Sequence, residues 1–144
     1  MKIVLDTNVL VMTLRSRRGA SFRLLSELPA KDFQIVLTIP LYTEYQDVLS
    51  RPQILELGYT PNDIKELTRY LASISHKQEI YYLWRPWLKD PKDDMVLEAA
   101  FASQSEYIVT YNTKDFVGKG IEKSFGIKPV NAKEFLMELG RIKK

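Results

Sequence analysis

Three continuous apolar runs constrain the fold of this chain most: Ile3-Val4-Leu5, Phe33 to Thr38 (FQIVLT) and Tyr107 to Thr110 (YIVT). Runs without polar alternation fit strands covered on both faces, as in parallel sheets. Ile80 to Leu83 is a shorter candidate. Ile127 to Val130 contains Pro129, which cannot donate to a ladder and so suits an edge strand. Helical segments fall between the runs. Ser21 to Leu28 reads as one, and Leu41 to Leu49 follows Pro40, a good first helical residue. Thr60-Pro61-Asn62-Asp63 opens a helix reaching about Ser75, and Asp90-Pro91 precedes one from about Asp93 to Ser103. Asn131 with Glu134 three residues later starts the last helix as a capping box. Strands alternating with helices predict a three-layer α/β/α domain around a central, mainly parallel sheet.

The 144 residues fit one domain spanning 1–144, without internal repeat or linker, and the basic end at 141–144 is expected to fray. Cysteine is absent, which excludes thiolate zinc sites, thiol catalysis and disulfides. The single histidine, His76, sits among polar residues and reads as a surface group. Chemistry must therefore come mainly from carboxylates, hydroxyls, lysines and arginines. A net charge of +3 and a pI near 9.0 mildly favour a polyanionic partner. No apolar run approaches the roughly 20 residues that cross a bilayer. The N-terminal run meets Asp6 too soon for a signal peptide, so a cytoplasmic location is expected.

The acids have a pattern. Asp6 directly follows the first apolar run, and Asp115 follows the Tyr107 to Thr110 run by a short turn. In open parallel sheets the crevice beyond the carboxyl ends of the strands is the usual place for a site. On a helical wheel Leu41, Tyr45, Val48 and Leu49 share an arc, with Glu44 on its shoulder. Val96, Leu97, Ala100 and Phe101 form a second stripe. Asp93 projects into its middle, Asp94 lies at its margin, and Glu98 points outward to solvent. A carboxylate on a buried face needs a cation or several donors. Without histidine or cysteine clusters, hard oxygen ligands suit Mg²⁺ or Mn²⁺. Spacing alone leaves a second reading open, in which each acid caps a helix or pairs with a lysine.

Four segments then resemble a known family. Lys2 to Leu10 (KIVLDTNVL) is similar to the opening of PIN domains, and Thr43 to Pro52 (TEYQDVLSRP) to their glutamate helix. Asp90-Pro91-Lys92-Asp93-Asp94 with Leu97-Glu98-Ala99-Ala100 resembles the third acidic motif, and Tyr107 to Phe116 (YIVTYNTKDF) the fourth. Each motif is weak alone; the ordered set, spanning nearly the whole chain, is specific. The resemblance implies about five parallel strands and metal-dependent hydrolysis of RNA phosphodiester bonds. It implies Asp6, Glu44, Asp93 and Asp115 as catalytic metal ligands. Thr7, Asn8, Asp94, Thr110 and Asn112 would support them, with the Thr7 hydroxyl orienting Asp6. Many PIN domains carry an acid where this chain has Asn112, so a tightly held second metal is in question. Arg15, Arg17 and Arg18, after the first strand, are expected beside the cleft as RNA contacts, with Lys89, Lys92 and Lys114 flanking the acidic motifs. Tyr42 and Tyr111 are candidates for stacking on bases; Tyr45 reads as core. Trp84 and Trp87 read as packing or oligomer contacts. A homodimer and a cognate antitoxin are expected by resemblance to solitary PIN domains of the VapC type. An inactive RNA-binding PIN domain or an RNA-processing nuclease is the alternative. A haloacid dehalogenase-type phosphatase would need a second acid where Asn8 stands, and a receiver domain does not account for Glu44.

Overall fold

The computed structural model describes residues 1–80, 90–116 and 125–143. The first apolar run becomes β1 (Lys2–Leu5), with Ile3, Val4 and Leu5 fully enclosed. β2 (Gln34–Leu37) and β4 (Tyr107–Val109) flank it, each burying its aliphatic residues. β3 (His76–Lys77) and β5 (Lys128–Val130) close the two edges. The order is β3-β2-β1-β4-β5, and every pairing is parallel. Pro129 sits on the outermost strand, where its missing N–H is harmless.

Helices α1 (Thr7–Arg15), α2 (Ala20–Ser26), α3 (Ile39–Leu49), α4 (Pro52–Leu55) and α5 (Pro61–Ile74) connect β1 to β2 and β2 to β3. The chain then crosses back through α6 (Pro91–Ser103) to β4 and ends in α7 (Ala132–Glu138). Right-handed crossovers in opposite directions put α1 to α5 on one face and α6 on the other, and α7 returns to the first face beside α2, giving three α/β/α layers. α6 lies across β1, β2 and β4, while α2 packs on α1 and α7. Strand order reverses at β1, so the gap between β1 and β4 is the topological switch point, where parallel sheets open a crevice. Phe135 closes the core from α7, meeting Phe33 and Tyr107 edge-on at centroid distances of 5.2 and 5.4 Å.

Both expected capping boxes form. Thr60 and Asp63 exchange hydrogen bonds at the start of α5, and Asn131 and Glu134 do so at α7. Three features depart from the reading of the sequence. The chain after Asp6 is helical, and α1 was not anticipated. Its sequence, TNVLVMTLR, is rich in β-branched residues and prolongs the apolar run; burial of Thr7, Val9, Leu10 and Thr13 overrides that local preference. A strand that was not anticipated lies at His76–Lys77; of the expected strand Ile80 to Leu83, residues 81–83 fall outside the described residues. His76 is accordingly half-buried, with Nε2 3.0 Å from Gln78 Oε1. Lastly, Arg141 does not fray: its guanidinium donates to Glu27 at 2.8 Å and Asp32 at 2.6 Å. Those two bonds tie the chain end to the α2–β2 connection, and Ile142 packs against the core.

Candidate active site

Asp6 directly follows β1 and stands at the N-cap position of α1, at the switch point. Its N–H donates to the Val109 carbonyl at 2.9 Å, holding it level with the end of β4. One carboxylate oxygen, Oδ2, accepts the Thr110 hydroxyl at 2.7 Å and the Asn8 side-chain amide at 3.3 Å. Thr110 is fully buried and acts as a hub. Its Oγ1 also accepts from Asn8 Nδ2 at 3.3 Å and from the Asn112 N–H at 3.0 Å. The hydroxyl on Asp6 is thus that of Thr110, whereas buried Thr7 brings its backbone N–H near. Asn8 joins the two segments, since its Oδ1 accepts the Tyr111 N–H at 3.2 Å. Asn112 takes part through its backbone, its carbonyl accepting the Asp115 N–H at 3.0 Å in a 3₁₀ turn, Thr113–Phe116.

The acids sense each other. Burial raises the Asp6 carboxyl, the Thr110 hydroxyl and Thr7 N–H pull it down, and the charges of Asp115 and Glu44 push it up again. Asp93 is raised to about 6, first by burial and then by the charges of Asp6, Asp90, Asp115 and Asp94. Asp90, not Asp93, caps α6, accepting the Lys92 N–H at 2.9 Å. Asp93 is therefore left for other work. Glu44, mostly buried on α3, faces the Lys92 ammonium at 3.7 Å. α3 and α6 touch, so the elements carrying Glu44 and Asp93 meet beside Asp6. Among the described residues no three acidic side chains converge on one point at ligand distance. Glu44 is turned toward Lys92.

α6 departs from expectation at two positions. Asp94, expected at the margin, is 1% exposed, and Glu98, expected in solvent, is 6% exposed. The single-stripe reading failed because α6 is covered by the sheet and by α3, so it is buried around most of its circumference. Tyr45 is core, as expected, yet it also serves the site. Its hydroxyl donates to the Leu5 carbonyl, the residue before Asp6, and burial together with the Asp6 charge pushes that phenol well up. A buried tyrosine needs a partner for its hydroxyl, which was the available signal. Arg15, Arg17 and Arg18 lie exposed at and after the end of α1, Lys114 is exposed in the 3₁₀ turn, and Tyr42 is half-buried. Lys89, Trp84 and Trp87 lie outside the described residues.

The raised Asp93 carboxyl has a consequence for stability. Unfolded, it titrates near its ordinary 3.8; folded, near about 6. Its contribution to stability is full below the lower value and is lost as pH rises through the upper one. Because Asp93 is partly exposed, solvent screening leaves roughly 1 kcal/mol. Metal-free protein in EDTA should therefore lose a few degrees of Tm attributable to Asp93 between pH 4 and 7 (about 3 °C). Melting curves of Asp93→Asn should lack that loss; an identical pH dependence in both proteins would refute it.

The donor set is all oxygen, anionic and mutually repelling, which fits a hard divalent cation in kind, with Asp6, Asp93, Asp115 and Glu44 as the residues to hold it. No helix among the described residues is long and apolar enough to cross a membrane. Among curated proteins, none matches the chain. A solved structure of VapBC2 from Rickettsia felis, bound to a DNA fragment from their promoter, contains a chain of the same fold. It aligns with TM-score 0.60 at 15% identity, over 91% of this chain and 98% of that one. The family described as PIN domain, a family of nucleases that generally use divalent metal ions, matches residues 2–114, most of the chain including β1, the Glu44 helix, α6 and β4, and ends one residue before Asp115. This chain belongs to the PIN domain family.

Proposed function

We propose that the chain is a Mg²⁺- or Mn²⁺-dependent endoribonuclease acting at the β1–β4 switch point. The observation that carries this reading is the electrostatic coupling of Asp6 with Glu44, Asp93 and Asp115, brought from four separate segments to one end of the sheet. A structural purpose would pair those acids with cations; Asp6 and Asp93 instead have their proton affinity raised by neighbouring carboxylates, which a divalent ion relieves. When bound, such an ion acidifies water and neutralises charge on the phosphate. The chain's own part is orientation. Thr110 and Asn8 fix one oxygen of Asp6, leaving the other for the cation, and Tyr45 holds the strand end beneath it. Asp93 is suited to carry a proton near neutral pH. Lys92, Lys114, Arg15, Arg17 and Arg18 supply positive charge for RNA phosphates.

The cellular role we propose is that of a toxin held by a cognate antitoxin, supported by the fold shared with VapBC2, in a soluble, cytoplasmic, homodimeric protein. The decisive experiment incubates the pure protein with labelled single-stranded RNAs in Mn²⁺, Mg²⁺ or EDTA, beside Asp6→Asn. Cleavage should require the metal and Asp6. Equal cleavage in EDTA, or by the variant, would overturn the reading; metal-independent RNA binding without cleavage would leave an inactive RNA-binding PIN domain.

A further inference from the structure

We infer that Tyr111 and Ile39 hold the two nucleobases on either side of the phosphate presented to Asp6, an inference that rests on the ribonuclease reading above. Ile3 pairs with Ile35, and Leu5 with Val109. Continuing that register places Thr38 and Thr110 on either side of Asp6, and the next residues are Ile39 and Tyr111. Both residues therefore leave the sheet at the same edge as Asp6, Ile39 opening α3 and Tyr111 following β4. Both are large apolar side chains left in solvent, Ile39 at 83% and Tyr111 at 39% exposure. What singles out Tyr111 is its tie to the acid: its N–H is held by Asn8, whose side-chain amide also donates to Asp6, and Ile39 leaves the same sheet edge next to the strand-end Thr38.

Tyr111 is also fixed at both ends. Its N–H donates to Asn8 Oδ1 at 3.2 Å, and its hydroxyl shares a hydrogen bond of 2.5 Å with Ser21, which is fully buried in α2. The ring therefore loses little freedom on stacking. Ile39 begins α3, steadied by Pro40 and by the Thr38 hydroxyl accepting the Leu41 N–H at 3.2 Å. The exposed Lys114 in the adjoining turn offers a cation for the backbone between two splayed bases. Only unpaired bases can turn outward onto such walls, so the substrate is single-stranded at the cut.

The test uses Asp6→Asn protein in EDTA, where binding is read without cleavage, and a short fluorescent single-stranded RNA beside an abasic ribose-phosphate chain of equal length. Adding Tyr111→Leu should weaken binding of the RNA by roughly 10-fold and leave the abasic chain unaffected, since stacking on an aromatic ring is worth ~1–3 kcal/mol per base. Tyr111→Phe, which keeps the ring, should stay within about 3-fold, and Ile39→Ser should cost less than Tyr111→Leu. Should Tyr111→Leu fail to fold, the comparison of the two oligomers on the parent protein still decides: equal binding of both, or no binding of either, refutes the inference. Equal loss on both oligomers in Tyr111→Leu refutes it too. Failure of the ribonuclease reading shows separately, as an absence of cleavage by wild-type protein in Mn²⁺.

Discussion

Asp6→Asn is expected to lower RNA cleavage by on the order of 10³-fold while raising the melting temperature of the metal-free protein by a few degrees. The first effect follows from losing the one acid that the fold positions most tightly. A single preorganised electrostatic group is worth roughly 10²–10³ in rate, about 3–4 kcal/mol of transition-state stabilisation. An amide leaves one neutral oxygen in place of a charge, a weak ligand for a hard cation. The second effect has the opposite sign. Burial and the charges of Asp115 and Glu44 make the ionised Asp6 unfavourable in the folded chain. Asparagine removes that penalty and still accepts the Thr110 hydroxyl. Metal added to the variant should no longer raise its Tm as it does for wild type. Circular dichroism melts with and without Mn²⁺, beside an initial-rate assay, check all three. A variant less stable and fully active would show Asp6 to be structural.

That opposition of sign bears on how much was legible beforehand. The buried strands announced themselves because Ile3-Val4-Leu5 and Gln34–Leu37 carry no alternation, which only a two-sided cover tolerates. Helix starts were legible wherever side chains perform the capping, as at Thr60 and Asn131. α1 was not, since Asp6 stands at its N-cap without a capping side-chain bond, its carboxylate being engaged with Thr110 and Asn8. β3, with only two residues, exists through its pairing with Val36 and Leu37 and has no local signature. In the site, the acids at strand ends could be placed by topology, whereas their partners could not. Thr110 and Asp6 are separated by 104 positions, so their hydrogen bond is invisible until the sheet order is known. The buried faces of Asp94 and Glu98 depend equally on tertiary cover, because a helix enclosed on several sides has no single apolar stripe to read.

Thr110→Val tests whether the hub, and not the acid alone, organises the site. Valine matches threonine in shape, but its methyl neither donates nor accepts. Asp6 Oδ2 would lose its 2.7 Å donor, and Asn8 Nδ2 and the Asn112 N–H would lose an acceptor in a fully buried position. Asn8 and Asp6 keep their bond to each other and the exposed Asn112 turns to water, so the cost is that of the lost hydrogen bonds, about 1–2 kcal/mol, and Tm should fall by roughly 3–6 °C. Asp6 should titrate still higher, because the Thr110 hydroxyl is the largest influence holding its carboxyl down. The acidic limb of the rate profile then moves to higher pH, with a loss on the order of 10–100-fold near neutrality, as for other groups that orient metal ligands. Thr110→Ser keeps the hydroxyl and should restore the pH profile while losing only the packing of one methyl, about 1 kcal/mol. That rescue separates positioning from packing. If serine and valine behaved alike, the methyl and not the hydrogen bonds would be what the site requires of Thr110.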